Sequence, residues 1–378
     1  MPKTIAVVGL VLCALGGYGL HVHWDAQPGA TVPARLADEG YRRLWQGQVK
    51  GPGGAIESFQ QALAADAGSP YRWADLGAAF LEGGEKQNAQ YCFEQARLRS
   101  PRSPQILIRS ANFALAIGDE VALLSQTGLL LELVSTYDEH AFRLWQQADI
   151  PVEKALATSV KSNRRAHESL LRFLIRNRDL TGAGIVWEKL PNPGAELTAD
   201  YAEAQVEGGN PTLAAGAHHR DGGQPALLVN GGFESEWSGK GLDWRVIPIE
   251  GVSVERRSEG TGHVLEVAFN TVDNIEYKHT GQRLWIPSGG AYRLQARMRS
   301  ENLTTDQGVA LRVLDGTTEV LLTPPLSGSS PWHEVQARLT AAGPRLLRLE
   351  VYRPRSWKFD GKPRGRVWID DVRIEPST

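Results

Sequence analysis

The chain has 378 residues and a mass of 41.4 kDa, and at about 100–200 residues per domain this length predicts two or three domains, each with its own core. Its 41 Lys and Arg nearly balance 43 Asp and Glu, and 42% of the residues are hydrophobic, which excludes a wholly disordered chain and a global nucleic-acid-binding charge. The two cysteines, Cys13 and Cys92, are too few for a disulfide framework or a zinc cluster.

The N-terminus carries an apolar run, residues 4–22, that contains no charged residue and follows Lys3. A helix of this length crosses about 30 Å of hydrocarbon, so the run predicts a membrane helix that acts as a signal anchor over residues 1–23. A cleaved signal peptide is the alternative. With Lys3 in the cytoplasm, the anchor predicts a single-pass inner-membrane protein with its soluble domains in the periplasm, and cleavage predicts export of the same domains.

Residues 34–215 are rich in Ala, Leu, Gln and Glu at helical spacing, with breaks at Gly and Pro clusters, and predict helical hairpins. The clearest hairpin has large side chains on one face of its first helix, small residues where its two helices approach, and a proline after its second helix. These residues are Trp73, Leu76, Gly77, Phe80, Ala89, Phe93, Ala96 and Pro101. The preceding hairpin repeats part of the pattern 34 residues earlier, with Ala55, Phe59 and Ala62.

This spacing resembles that of tetratricopeptide-repeat proteins at every signature position. The resemblance implies an α-helical solenoid of about four or five units, whose concave groove is a surface for peptides or partner proteins. An envelope protein is the expected partner. The alternative is an array that only spaces the next domain from the membrane.

A linker of small and polar residues at 216–225 is expected to separate the repeats from residues 226–378, where the composition changes from helix to strand. Seven or eight short strands bounded by turn residues predict an antiparallel β-sandwich. The expected strands are 252–256, 263–269, 292–299, 309–314, 335–339, 346–352 and 367–374. The whole chain is therefore expected to be multidomain α + β, with a membrane helix, a helical solenoid and a C-terminal sandwich.

The β segment opens with Asn-Gly-Gly-Phe-Glu at 230–234 and closes with Ile-Asp-Asp-Val at 369–372. In this pairing, residues 226–378 resemble the jelly-roll carbohydrate-binding modules of the galactose-binding-like type. The resemblance implies glycan binding and a structural calcium ion, held by Glu234 and one of Asp370 or Asp371 with the help of backbone carbonyls. The alternative is that these carboxylates only cap strands through hydrogen bonds.

Sugar recognition in such modules uses aromatic faces that stack on pyranose rings. Three tryptophans stand where the family's aromatic residues fill the core or seal its edge, and these are Trp244, Trp332 and Trp368. Tyr277, Trp285 and Trp357 match no such position as clearly and are the stacking candidates.

A basic run at 353–366 surrounds one of these candidates, with Arg353, Arg355 and Lys358 beside Trp357. Guanidinium and ammonium groups pair with carboxylates, so the run predicts binding to an acidic polysaccharide. The alternative is a solvated hairpin. Nucleic acid is not an expected partner, because no nucleic-acid-binding module surrounds the run.

The sequence contains no nucleophile elbow, phosphate loop, dinucleotide fingerprint or paired-histidine zinc helix. We therefore expect a non-catalytic, membrane-tethered adaptor that combines protein–protein interaction with glycan binding, in a setting such as exopolysaccharide or cell-envelope biogenesis. A purely protein-binding envelope scaffold without a sugar site is the first alternative. A glycosidase is the second, and it requires two carboxyl groups that face each other about 5–10 Å apart.

Overall fold

The computed structural model describes residues 31–218, 227–304, 306–358 and 361–377. The chain folds as two compact units. The first comprises the described residues up to Asn177 together with Thr181–Leu190, and the second comprises Arg178–Leu180 together with the described residues from Pro191 onward. Helices precede strands along the chain, so the predicted multidomain α + β organisation is confirmed.

Short turns join the helices into successive pairs. The helices are α1 (Val32–Trp45), α2 (Ala55–Ala65), α3 (Pro70–Glu82), α4 (Lys86–Arg99), α5 (Pro104–Ile117), α6 (Glu120–Leu133), α7 (Asp138–Gln147), α8 (Val152–Ala155), α9 (Arg164–Arg176), α10 (Leu180–Lys189), α11 (Ala195–Glu207) and α12 (Pro211–His218). A π-helical turn, Leu156–Val160, continues α8.

The predicted repeat signature packs helix α3 against helix α4. A Cβ atom on Gly77 would lie 3.1 Å from the Cβ atom of Cys92 and from the ring of Phe93, so only a small residue allows this approach. Ala89 and Ala96 are fully buried in the same pair of helices. Burial raises the pKa of the Cys92 thiol to about 11, which is typical of an inert packing residue.

A buried polar network links equivalent positions of three successive repeats. Tyr41, Asp75 and Arg109 lie 34 residues apart, on α1, α3 and α5. The Asp75 side chain is only 3% exposed, and its Oδ1 accepts hydrogen bonds from the Tyr41 hydroxyl and from Arg109 Nη1, the latter at 2.8 Å. Its Oδ2 accepts from Arg72 Nη1 at 3.0 Å. Burial, followed by the charge of Asp75, raises the pKa of Tyr41, so the phenol stays a neutral donor.

The second unit contains two five-stranded antiparallel sheets, ordered β1-β4-β9-β6-β7 and β2-β3-β10-β5-β8. Their strands are β1 (Arg245–Val246), β2 (Val252–Glu259), β3 (Gly262–Asn270), β4 (Tyr277–Ile286), β5 (Gly290–Leu303), β6 (Ala310–Asp315), β7 (Thr318–Leu322), β8 (Gly328–Ala341), β9 (Arg345–Arg353) and β10 (Arg364–Pro376). Apolar residues of both sheets form one core, so the predicted β-sandwich is confirmed. Strands β1, β4 and β7 are additional to the seven expected from the sequence.

The first and last segments of the β region lie side by side. Val372 N donates a hydrogen bond to Gly231 O at 2.9 Å, and a Cβ atom on Gly231 would lie 1.9 Å from Val372 O. Trp244 Nε1 donates to Asn230 O at 3.1 Å, and its ring is fully buried 5.0 Å from that of Phe233. The entry turn is therefore fixed both to the core and to β10.

Helices α11 and α12 belong to the same compact unit as the sandwich. Glu203 on α11 accepts hydrogen bonds from Gly241 N at 2.7 Å, from Arg283 Nη1 at 3.1 Å and from Arg245 Nη2. The predicted linker begins at Gly216, which lies within α12, and its residues from 219 onward lie outside the described residues. The β unit is thus larger than the segment 226–378 that the composition suggested.

We expect Glu203 to stabilise the β unit more at neutral than at acidic pH. Burial raises the pKa of this carboxyl, but hydrogen bonds from Arg245 and Gly241 and the nearby arginine charges outweigh burial and hold the pKa below its ordinary value. A depressed folded-state pKa gives stability above the unfolded value that is lost as the pH falls through the folded value. Glu203→Gln should therefore lower the free energy of unfolding by about 1–3 kcal/mol at pH 7, and by less at pH 3.

Hydrogen–deuterium exchange of α11 and β1 in the full chain, followed from pH 7 to pH 3, measures this effect. Glu207→Gln is the matched control, because its carboxylate is 42% exposed and pairs with Arg178 at the surface. A Glu203→Gln deficit of equal size at both pH values would contradict the prediction.

The prediction of a single-pass inner-membrane protein is wrong. Within the described residues, no helix is long and apolar enough to cross a membrane. Helices such as α1 and α4 have 14 residues, whereas a span needs about 20 apolar residues. Residues 4–22, on which the anchor prediction depended, lie outside the described residues.

Candidate functional site

The loop between β9 and β10 carries the most exposed of the predicted ligand residues. Trp357 is 99% exposed, and Arg355 and Lys358 beside it are also exposed. All three side chains are therefore accessible to a ligand. Burial of the exposed indole ring of Trp357 against a ligand would be favourable, because it removes apolar surface from water.

Hydrogen bonds hold the residue before Trp357 in place. Ser356 is buried; its N donates to Asn274 Oδ1 at 3.0 Å, and Asn274 Nδ2 donates to Ser356 O at 2.6 Å. Ser356 Oγ donates to Asp306 Oδ1 and accepts from Lys358 N at 3.0 Å. Trp357 is therefore presented by an ordered turn.

Arg353 was predicted to contact an acidic glycan, and the structure corrects this. Its side chain is fully buried, and its guanidinium donates to Ile275 O at 2.7 Å, to Pro354 O at 3.1 Å and to Gly361 O at 3.0 Å. One side chain thus ties the two ends of the loop to the segment before β4. The buried Arg353 side chain therefore stabilises the loop and does not contact a ligand at the surface.

Tyr277, predicted as a stacking residue, also lies in the core. It is 1% exposed, its hydroxyl shares a 2.6 Å hydrogen bond with Thr280 Oγ1, and its ring lies 5.3 Å from that of Phe269. Burial raises its pKa to about 12, against the lowering effect of the Thr280 hydrogen bond. Tyr277 therefore offers no free aromatic face to a sugar.

Trp285 is half-buried on β4, opposite Leu346 on β9. At the other end of this strand pair, Tyr277 lies opposite Arg353. The eight residue steps from Tyr277 to Trp285 span about 26 Å of strand, so Trp285 and the β9–β10 loop are separate places on the sandwich. The site that the structure assembles from the predicted residues is Arg355, Trp357 and Lys358.

The loop between β3 and β4 borders this site. Thr271 donates hydrogen bonds from N and Oγ1 to Pro363 O, at 3.3 and 3.2 Å, and Val272 next to it is 68% exposed. Composition gave no reason to single out Val272, because isolated exposed apolar residues are common. Only the folded structure shows that the loop containing Val272 lies beside the loop that carries Trp357.

The cationic side chains of the site contribute to lowering the pKa of two carboxyl groups. A hydrogen bond from Lys278 lowers the pKa of Glu276, with a contribution from the charge of Arg355. A hydrogen bond from Ser356 lowers the pKa of Asp306, with a contribution from the charge of Lys358.

The carboxylates predicted to hold calcium are hydrogen-bonded to or paired with donors of the protein itself. Glu234 Oε1 accepts from His263 N, and its Oε2 lies 3.2 Å from His263 Nδ1. Asp370 and Asp371 both pair with Arg297, at 3.7 and 3.2 Å. Within the described residues, no group of three His, Cys, Asp or Glu side chains is arranged to hold a metal.

The tryptophans expected to be structural make specific polar contacts. Trp368 Nε1 donates to Glu266 Oε2 at 2.8 Å, and Trp332 Nε1 donates to Glu259 Oε1 at 2.7 Å. The Arg299 guanidinium lies 4.1 Å from the ring centroid of Trp368 and 5.2 Å from that of Trp332. These rings are engaged within the sheet and do not compete with Trp357 as ligand contacts.

No protein-family model matches the chain, and no curated protein matches it. Among solved structures, the chain is similar to a CBM4 carbohydrate-binding module, at 14% identity over 40% of this chain and 99% of that one, with a TM-score of 0.30. It is also similar to a CBM61 module in complex with β-1,4-galactotriose, at 19% identity over 41% and 100% of the two chains, with a TM-score of 0.29.

The helical region has solved neighbours of its own. The chain is similar to a tetratricopeptide-repeat protein from Parabacteroides merdae, at 12% identity over 58% of this chain and 92% of that one, with a TM-score of 0.28. Both resemblances predicted from the sequence are thus found among solved structures.

Proposed function

We propose that this protein is a non-catalytic adaptor that binds an acidic polysaccharide through Arg355, Trp357 and Lys358, and a partner protein through its helical repeats. The observation that supports the glycan site is the 99% exposure of Trp357 on a turn held by Asn274, Asp306 and Arg353. A ligand that covers this ring orders little of the protein on binding, because the turn is already fixed.

The chemistry of the site suits a uronic-acid polymer. The indole face supplies an apolar surface for the C–H face of a pyranose, and the flanking guanidinium and ammonium groups pair with carboxylates on neighbouring residues. Exposed charge pairs are each worth less than about 1 kcal/mol and are screened by salt, so the ring is expected to supply most of the affinity.

We expect Trp357→Ala to weaken binding of the full chain to polygalacturonate by about 10-fold or more, as loss of a central aromatic contact costs about 2 kcal/mol. Affinity gel electrophoresis with acidic and neutral polysaccharides in the gel measures this change. Trp285→Ala is the matched control, because it also removes an indole ring, but from the end of β4 that lies away from the β9–β10 loop.

In the same assay, the double variant Arg355→Ala, Lys358→Ala should bind more weakly at low salt and show a flatter salt dependence than the unchanged protein. Equal binding by the unchanged protein and Trp357→Ala would overturn the loop as the glycan site. Salt-independent binding that is lost in Trp285→Ala would show instead that the glycan binds at the outer face of β4.

Two large apolar side chains that the helical unit leaves exposed provide a test of partner binding by the repeats. Leu98 on α4 is 74% exposed and Val121 on α6 is 80% exposed. Isolated exposed apolar residues are common on protein surfaces, so these two residues are test positions for the proposed interface. A partner that binds the unchanged protein and Trp357→Ala, but not Leu98→Asp or Val121→Asp, would show that the repeats are more than a spacer.

An exopolysaccharide or another polymer of the cell envelope is the proposed ligand, since such polymers carry uronic acids. The alternative of a purely protein-binding scaffold predicts no retention by any polysaccharide in the gel assay.

Incubation of polygalacturonate with the full chain, followed by measurement of new reducing ends, tests the non-catalytic part of the proposal. Release of reducing ends that scales with protein concentration would instead favour a glycosidase.

A further inference from the structure

The turn that opens the β region has an unfavourable backbone conformation. Asn230 has φ of 51° and Phe233 has φ of 55°, both in the left-handed region that residues other than glycine seldom adopt. Each such residue costs about 1–3 kcal/mol and persists only where its surroundings fix it. Phe233 cannot move without leaving the core, where its ring is fully buried.

Part of the support comes from within the turn. Asn230 Oδ1 accepts from Ser235 N at 3.2 Å, and Asn230 Nδ2 donates to Ser235 O at 2.8 Å. Phe233 N donates to Asn230 O at 3.2 Å. These bonds close the turn but leave the carbonyl oxygens of Phe233 and Glu234 to be satisfied from elsewhere.

Arg256 on β2 satisfies both carbonyls. Its Nε donates to Phe233 O at 2.7 Å, and its Nη2 donates to Glu234 O at 2.6 Å. Its Nη1 donates to Glu236 Oε1 at 3.2 Å, and the side chain is 17% exposed. The planar fork of a guanidinium matches two successive carbonyls, which a lysine ammonium cannot do.

The carboxylates assigned to calcium have basic partners as well. His263 binds Glu234, and Arg297 pairs with Asp370 and Asp371. Calcium binds backbone carbonyl and carboxylate oxygens. In this turn, oxygens of both types accept hydrogen bonds from N–H groups of the protein instead.

We propose that the Arg256 guanidinium fixes the entry turn of the β unit at the place where the resemblance implies a calcium ion, so that the unit folds and keeps its stability without a metal. Arg256 supplies a positive charge and the paired donors, and Arg297 pairs with the aspartates of the last strand. This role is independent of glycan binding at Trp357.

Thermal unfolding of the full chain in millimolar EDTA and in millimolar calcium chloride tests the first half of the proposal. The expected result is an unchanged melting temperature and no heat of calcium binding by titration calorimetry. A calcium-dependent rise in the melting temperature, or saturable calcium binding that is lost in Glu234→Gln, would overturn it.

Substitution of Arg256 tests the second half. Arg256→Met should lower the melting temperature of the β unit by about 4–8 °C and increase amide exchange in residues 230–236. Arg256→Lys keeps the charge but not the fork, and should lose most of the same stability. Arg373→Met, on β10 of the same sheet, is the matched control, because its side chain is 50% exposed and pairs at 3.8 Å with Glu334, which is 48% exposed.

If Arg256→Met does not fold, Arg256→Lys and the calcium titration of the unchanged protein still decide the question. Equal melting temperatures for Arg256→Lys and Arg373→Met would contradict the role of the fork. A stability of Arg256→Lys that is restored by calcium would show that the turn retains a metal site.

Discussion

We expect Asp75→Ala to lower the free energy of unfolding of the helical unit by about 3–5 kcal/mol, since removal of one partner of a buried ion pair leaves an uncompensated charge. Arg109 and Arg72 would lose their shared acceptor while remaining 14% and 20% exposed, and the Tyr41 hydroxyl would lose its partner too. Urea unfolding of the full chain, with exchange of α1, α3 and α5 as the readout, measures the effect.

Glu139→Ala is the control for this experiment. Its carboxylate is 46% exposed and pairs with Arg143 at 2.6 Å and with Arg176 at 3.3 Å. Exposed pairs of this kind contribute about 0–1 kcal/mol, so this variant should unfold almost as the unchanged protein does. A loss for Asp75→Ala no larger than that for Glu139→Ala would mean that the repeats do not depend on the network.

Gly231→Ala should destabilise the β unit by about 3 kcal/mol or more. The added Cβ would lie 1.9 Å from Val372 O and 2.8 Å from Leu228 Cδ2, so the backbone must move and the bond from Val372 N to Gly231 O is strained or lost. The unit should show a lower melting temperature and faster amide exchange at the start of the β region and in β10.

Gly232→Ala gives the comparison within the same turn. Its Cβ would have only Glu234 Cγ near it, at 4.0 Å, and should be tolerated within about 0.5 kcal/mol. Similar losses for the two variants would show that the close approach of the first and last segments is not what constrains the glycine pair.

The sequence predicted the helical unit well where a residue's size decides its place. Gly77, Ala89 and Phe93 meet between α3 and α4 as their spacing required, because close helix packing admits few alternatives. The network of Tyr41, Asp75 and Arg109 was missed, although its members recur at the same 34-residue period. A search for polar residues at equivalent repeat positions would have found it.

The candidate site was less accessible to sequence reasoning. The basic run around Trp357 contains buried and exposed cations, and the position at which β9 ends distinguishes them. Arg353 is the last residue of β9 and shares the inward face of Val351, whereas Arg355 lies beyond the strand in the loop. The sequence does not distinguish Tyr277 from Trp285, because β4 has many polar residues and is not among the strands that the sequence predicts. Its inward Gln282 bonds to Val229 N and O, a tertiary contact that the sequence does not reveal.

The contacts of Glu203 bear on how this protein can be divided and recombined. A fragment cut at residue 226 would lack α11, and Arg245 and Arg283 would lose the carboxylate that both of them bind. A fragment that begins at Pro191 keeps this carboxylate and follows the compact unit. In gene fusions or domain exchange, the transferable piece is therefore the sandwich together with its two preceding helices.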